Sequence, residues 1–159
     1  MDNQVVEKAR ELLRRHPGLN FPLNMEDLLN EIGCELIEWP FLSPVKEVKQ
    51  GRWIGIAAGL DQRERRYLAA HALGHHLLHC GNQLWFRDWQ KTSVLRQEKE
   101  ADEFAAHVLI PETELEKISN PETWDIAEHF GVPEELANLR LKQFATGKER
   151  ERWQLFDEI

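Results

Sequence analysis

Four of the seven histidines in this chain fall within nine residues, in the segment YLAAHALGHHLLHC. At about 100° per residue on an α-helix, His71 and His75 project within about 40° of each other, one turn apart. Two imidazoles placed in this way can share a metal ion such as zinc. The H-x-x-x-H spacing is a weak signal by itself, because two histidines four residues apart often lie on a helix surface.

The residues around the histidine pair favour metal binding over a surface location. Leu73 and Leu77 lie on the face opposite His71 and His75, and other leucines continue round the helix. A helix that is apolar all round is buried, and a buried imidazole needs a hydrogen bond or a metal ion. We predict a helix over residues 63–80 with one core face and one ligand face. Gly74 should allow a neighbouring helix to approach closely.

A second segment, RQEKEADEFAAHVLIP, supplies carboxylates. Apolar residues at helical spacing form a core stripe along it: Ala101, Phe104, Ala105 and Val108. Glu98 and Glu100 flank this stripe, so one of the two can face the histidine helix. Two imidazoles and one carboxylate, with a fourth position left to water, form the ligand set of catalytic zinc in thermolysin-like peptidases.

The two segments together resemble a known family. HALGHHLLH followed by EKEADEFAAHVLIP is similar to the ImmA/IrrE metallopeptidase pattern, HExGHxxLH and ExEAxxFAxxLLxP. The resemblance extends to GRWIGIAAGLD upstream and WDIAEHFGVPEELANLRL downstream. It implies zinc bound by His71, His75 and Glu100, since Glu100 immediately precedes Ala101 as the pattern requires. Glu98 is the alternative carboxylate.

The resemblance also implies a fold and a substrate class. We expect an α+β, zincin-like metallopeptidase domain over residues 1–115, mostly helical with a small twisted sheet. A helix-turn-helix-like helical segment, residues 116–159, should pack on it without being an independent domain. Members of the family resemble gluzincins and typically cleave helix-turn-helix repressors. The expected partner is therefore a protein substrate of that kind.

The sequence departs from the family pattern at Ala72. In H-E-x-x-H enzymes the glutamate beside the first ligand takes a proton from water and passes it to the leaving amine. Loss of a positioned general base costs on the order of 10² to 10⁴ in rate, so we expect this chain to be nearly inactive. Either a natural member has lost catalysis or glutamate has been replaced deliberately by alanine; the intact metal motif favours replacement.

Other side chains are candidates for supporting roles. His79 matches the last histidine of the family pattern, and we expect it to hydrogen-bond a metal ligand rather than bind the metal. Tyr67, four residues before His71, lies on the ligand side of the helix and could donate to substrate, although packing is the commoner role. His129 and Arg140 could stabilise an oxyanion if their segment folds over the cleft.

The remaining elements must position these residues. Periodicity and capping residues predict helices over Asn3–Arg15 and Met25–Ile32, a strand over Cys34–Trp39 and a strand over 51–60. A helix over 94–109 should carry the carboxylates. Two short helices should follow between Trp124 and Phe144, and the charged tail after them could be helical or frayed.

Composition fits a single soluble domain. The chain has 159 residues, of which 42% are hydrophobic and 30% charged. It has no apolar run of the roughly 18 to 20 residues that span a bilayer and no signal-peptide pattern, so we expect a cytoplasmic protein without membrane contact. Cys34 and Cys80 are too few for a disulfide framework and are expected to be core thiols.

Three functions compete. The leading one is a zinc endopeptidase whose substrate adds a strand to the edge of the predicted strand 51–60. The second is a regulator that binds zinc and a repressor without cleaving it. The third is a DNA-binding module, because WDIAEHFGVPEELANLRL resembles a helix-turn-helix. A formal net charge of −8 opposes direct contact with nucleic acid.

Overall fold

The computed structural model describes residues 3–39, 47–79 and 91–157. Its elements follow the chain in this order: α1 Asn3–Arg15, α2 Met25–Ile32, β1 Glu35–Trp39, β2 Glu47–Gln50, β3 Trp53–Ala57, α3 Gln62–Leu78, α4 Lys91–Leu109, α5 Glu112–Leu115, α6 Thr123–Phe130 and α7 Glu134–Asp157. The architecture is α+β and mostly helical with one small sheet, as the sequence predicts.

Local signals account for the early helices. The Asn24 side chain accepts a hydrogen bond from the Asp27 backbone N–H and caps α2. At the other end Gly33 adopts a left-handed conformation with φ of 90°, which glycine reaches without strain. In α1 the predicted apolar face is buried through Val5, Ala9 and other residues of the same stripe. Both helices have the predicted bounds.

The three strands form one mixed sheet in the order β1-β3-β2. β3 is parallel to β1 and antiparallel to β2, and its Ile54 and Ile56 are fully buried. The prediction that a substrate strand pairs with the edge of the segment 51–60 is therefore wrong, because β3 is central and hydrogen-bonded on both sides. Among the described strands, β1 and β2 lie at the edges.

The helices α3 and α4 pack against each other at Gly74. A Cβ built on Gly74 would lie 3.1 Å from Phe104 Cδ1 and 3.2 Å from Ala101 Cα. The absence of a side chain therefore lets the two helix backbones approach closely, as predicted. Leu73, Phe104 and Ala105 are fully buried at this contact. This packing fixes the rotation of α4 and decides which of its carboxylates meets which histidine.

Several bounds differ from the predictions. α3 ends at Leu78, not at residue 80, and α4 begins at Lys91. β2 was not predicted, because its sequence EVKQ carries no apolar alternation. α7 extends to Asp157 instead of ending near residue 144, so the charged tail continues this helix. Cys80 lies outside the described residues.

The C-terminal helices share the core of the preceding elements. Ile126 and Phe130 of α6 and Leu136 of α7 belong to the same buried apolar cluster as residues of α1 to α4. The Arg140 Nε donates to the Ile110 carbonyl, 2.9 Å away, and joins α7 to the end of α4. The boundary at residues 115 and 116 stays a prediction. Within the described parts of the chain no helix is long and apolar enough to cross a membrane.

Candidate metal centre

The helix α3 buries the two predicted histidine ligands side by side. His71 is 3% exposed and His75 is 4% exposed. Their Nε2 atoms lie 3.2 Å apart and their rings meet edge to face. The one-turn spacing therefore brings two imidazole nitrogens to one point beneath the surface.

Glu98 of α4 is the carboxylate that meets this pair. Its Oε2 lies 3.0 Å from His71 Nε2 and its Oε1 lies 2.7 Å from His75 Nε2. The His71, His75 and Glu98 ligand atoms all lie within 4.8 Å of one another, which makes them a candidate metal-binding group. The structure thus differs from the choice of Glu100 and favours the alternative that the sequence left open.

Glu100 instead faces His79. Its Oε2 lies 3.0 Å from His79 Nε2, while His79 Nδ1 lies 3.0 Å from His75 Nδ1. Positions 98 and 100 are separated by about 200° around an ideal helix. The two carboxylates therefore leave α4 in different directions and meet different histidines. His79 thus contacts His75, a predicted metal ligand, and its supporting role stays a prediction.

Asp102 also belongs to the site, although the sequence reading did not include it. Its Oδ1 lies 2.8 Å from His71 Nδ1, and the Tyr67 hydroxyl donates to the same oxygen. Tyr67 thus directs its hydroxyl to Asp102. Asp102 follows Glu98 by four residues, just as His71 follows Tyr67 by four residues. This repeated one-turn spacing on two facing helices is the signal that could have identified Asp102.

Hydrogen-bond partners assign the imidazole protons. An ionised Asp102 accepts only, so His71 carries a proton on Nδ1, and Nε2 is the nitrogen that remains to bind an ion. An ionised Glu100 likewise accepts a hydrogen bond from His79 Nε2–H, which leaves His79 Nδ1 to accept from His75 Nδ1–H. Nε2 is then also the nitrogen of His75 that remains to bind an ion. With a cation bound, the two Nε2 lone pairs and the Glu98 carboxylate would all face one point.

The distances fit zinc. Tetrahedral coordination with Zn–N bonds of 2.0 to 2.1 Å places two ligand nitrogens about 3.4 Å apart. The observed separation of His71 Nε2 and His75 Nε2 is 3.2 Å. The donor set of two imidazoles and one carboxylate matches a zinc site that keeps one position open. His71, His75 and Glu98 therefore fit a zinc ion with one open coordination position.

The charge of Glu98 is favoured by its surroundings. Hydrogen bonds from His71 and then His75 hold the pKa of the Glu98 carboxyl well below its usual range, against the opposing effect of partial burial. In the absence of metal these bonds use protons on the histidine Nε2 atoms. A divalent cation held by His71 and His75 would take the place of those protons beside the same carboxylate.

Position 72 and the downstream candidates lie differently. Ala72 is 2% exposed and belongs to the apolar core cluster. Arg140 is 3% exposed and its Nε donates to the Ile110 carbonyl, so its role as an oxyanion stabiliser stays a prediction. His129 is exposed on α6 and packs edge to face with Phe130. The structure brings neither residue into contact with the described metal-site side chains.

A cavity of about 620 Å³ adjoins the histidine site. Tyr67 and Asp102 line one wall, and the first turns of α3 and α7 form the rest. Its other lining residues are Asp61, Arg63, Glu64, Pro133, Glu134, Glu135, Leu136 and Leu139. Five carboxylates and one guanidinium make this groove acidic, and a positively charged segment would complement it.

The chain is similar to known proteins over most of its length. Residues 32–142 match the peptidase family described as IrrE N-terminal-like domain. A protein of Bacillus phage phi105 named "Uncharacterized immunity region protein 2" is 33% identical over 124 residues, which cover 74% of this chain and 78% of that protein.

A solved structure shares the fold. A Mycobacterium tuberculosis transcriptional regulator superposes with a TM-score of 0.66 at 15% sequence identity. The match covers 88% of this chain and 56% of that one, so the chain spans little more than half of that regulator's length. With a family match over most of its length and a relative at one-third identity, the chain belongs to the ImmA/IrrE family of metallopeptidases.

Proposed function

We propose that the chain is a zinc-dependent metallo-endopeptidase of the repressor-cleaving kind, held inactive by Ala72. The observation that carries the proposal is the convergence of His71 Nε2, His75 Nε2 and the Glu98 carboxylate within ligand distance of one another. This is the donor set of peptidase zinc. Glu98 takes the place that the resemblance assigned to Glu100.

The chain's own residues divide the work of such a site. When bound, zinc supplies Lewis acidity that polarises the scissile carbonyl and acidifies water. His71 and His75 would hold the ion, Glu98 would offset part of its charge, and Asp102 would orient His71. Position 72 is where the family's proton acceptor stands. The methyl group of Ala72 accepts no proton, so amide hydrolysis lacks its general base.

Two observations support a protein substrate. The phi105 relative is named for an immunity region, which agrees with a substrate involved in phage immunity. The acidic groove beside Tyr67 and Asp102 suits a basic polypeptide segment, and DNA-binding repressors carry basic surfaces. The net charge of −8 makes direct binding of nucleic acid a poor alternative.

The test restores the missing carboxylate. Ala72→Glu, loaded with zinc, should cleave a helix-turn-helix repressor from a panel taken from the source genome, with products identified by mass spectrometry. Ala72→Gln is the matched control, because it has nearly the same size and no basic carboxylate. Both variants must retain stoichiometric zinc and a cooperative melt. Cleavage by neither variant, with fold and zinc intact, argues against the peptidase assignment.

The second function is a regulator that binds zinc and a repressor without cleaving it. The burial of Ala72 in the apolar cluster favours this reading, since the position is packed as core. If this function is right, the repressor should co-purify with the unsubstituted chain. The Ala72→Glu variant should then release no cleavage products. The peptidase hypothesis expects products from that same mixture.

A further inference from the structure

We propose that Glu100 and His79 form a positioning relay that fixes the tautomer and orientation of His75 as a zinc ligand. The proposal rests on the proposed zinc site and assigns Glu100 a different role from the one that the family resemblance implied. Neither residue binds the ion in this arrangement. Each acts through His75.

The relay is a continuous set of short contacts. Glu100 Oε2 lies 3.0 Å from His79 Nε2, and His79 Nδ1 lies 3.0 Å from His75 Nδ1. The His75 and His79 side chains are 5% and 6% exposed, and that of Glu100 is 21% exposed. Water therefore has little access to compete for the histidine nitrogens, which makes each of these bonds decisive for protonation.

Protonation runs in one direction along the relay. The Glu100 carboxylate accepts from His79 Nε2–H, so neutral His79 has a bare Nδ1. That nitrogen accepts from His75 Nδ1–H, so Nε2 is the nitrogen of His75 that remains to bind an ion. The opposite assignment would place the bare Nε2 of His79 against a carboxylate, which repels it. The relay thus selects the tautomer that can bind metal.

The end of α3 explains why His79 can do this. The helix stops at Leu78, and His79 adopts an extended backbone with φ of −124° and ψ of 131°. Its backbone N–H still donates to the His75 carbonyl at 3.0 Å. The extended residue directs its ring back toward His75. Arg96 Nε lies 3.5 Å from Glu100 Oε1, so a guanidinium faces the other oxygen of the same carboxylate.

The arrangement also excludes His79 as a ligand. Its Nδ1 faces His75 Nδ1 and its Nε2 faces Glu100, so neither nitrogen faces the point where His71, His75 and Glu98 meet. His71 reaches its carboxylate, Asp102, directly at 2.8 Å, whereas His75 reaches Glu100 through a second imidazole. The Nδ1 atoms of the two proposed ligands are thus oriented by different groups, a carboxylate for His71 and an imidazole for His75.

Substitution of His79 separates positioning from packing. In the full-length chain, the zinc Kd should rise about 10- to 100-fold in His79→Phe, which preserves ring size but leaves His75 Nδ1–H without an acceptor. His79→Asn should restore much of the affinity, because its Oδ1 lies close to the position of His79 Nδ1 and can accept a hydrogen bond from His75 Nδ1–H. A packing role predicts the opposite order, with Phe closer to wild type than Asn. That opposite order, or an unchanged Kd in His79→Phe, would overturn the relay.

Substitution of the two glutamates separates relay from ligand. Glu100→Ala should weaken zinc about 10-fold or more while one ion per chain still binds, whereas Glu98→Gln should lose more affinity than any relay variant. If Glu100→Ala abolished stoichiometric binding and Glu98→Gln did not, Glu100 would be the ligand and the relay wrong. If the wild-type chain bound no zinc, the proposed function itself would fail. If the wild-type chain bound zinc normally and substitution of His79 or Glu100 left the affinity unchanged, only the relay would be rejected.

Discussion

Asp102 Oδ1 lies 2.8 Å from His71 Nδ1, on the side of the ring opposite the nitrogen that faces Glu98. Glu98 and Asp102 stand one turn apart on α4, so one helix face holds both nitrogens of the same imidazole. A carboxylate behind a histidine ligand fixes its tautomer and raises its basicity. The His71 ring is therefore oriented before any ion arrives.

Asp102→Asn should weaken zinc binding about 10- to 100-fold, because the amide can still occupy the space but loses the charge that favours His71 Nδ1–H. Competition of the purified protein with a fluorescent zinc chelator measures the change in Kd. Glu128→Gln is the matched control, since it removes an exposed carboxylate from α6. An unchanged affinity in Asp102→Asn would remove Asp102 from the metal site.

Chelation should lower the melting temperature of the wild-type chain. A ligand that binds only the folded state at 100 times its Kd stabilises that state by about 2.7 kcal/mol. For a domain of this size, such a change corresponds to roughly 5 to 10 °C. Differential scanning calorimetry with zinc and with EDTA measures the shift. His71→Ala should melt at the same temperature in both buffers, and a full shift in that variant would place the ion elsewhere.

Gly74→Ala should destabilise the fold by about 1 to 3 kcal/mol, since the new Cβ would press on Phe104 and the Ala101 backbone. Gly147 is the matched control, because it also lies in a helix and a Cβ there meets nothing within 4 Å. Gly147→Ala should stabilise by about 0.5 to 1 kcal/mol through helix propensity. Urea denaturation compares the two. Equal effects would mean that α3 and α4 do not approach as closely as described.

Short-range signals and long-range packing explain which features the sequence could predict. α1 and α2 are fixed by local periodicity and by Asn24 and Gly33, so their bounds follow from the sequence. The choice between Glu98 and Glu100 depends on how α4 is rotated where it packs against Gly74. The sequence motif does not contain this information, because Glu100 was matched to it only as the residue before Ala101. β2 is a strand because β3 pairs with it, and its own residues carry no signal for that.

His107 should make the stability of the chain fall in acid. Burial, followed by the positive charges of Arg140 and Arg10, lowers the pKa of this histidine to about 3. In the unfolded chain the pKa is near 6.5, so the unfolded state binds the extra proton between these values. The stabilising effect is complete above about pH 6.5. It is lost as the pH falls toward 3, at up to about 1.4 kcal/mol per pH unit.

His107→Gln should flatten this dependence, because glutamine does not titrate. Urea denaturation between pH 7 and pH 4 in EDTA measures the difference in slope between wild type and variant, with metal effects removed. His129→Gln serves as the control, since it deletes an exposed histidine and should keep the wild-type slope. If His107→Gln and wild type lost stability in parallel as the pH fell, His107 would not be buried in its neutral form. A decrease in slope confined to His107→Gln assigns the acid sensitivity to the end of α4.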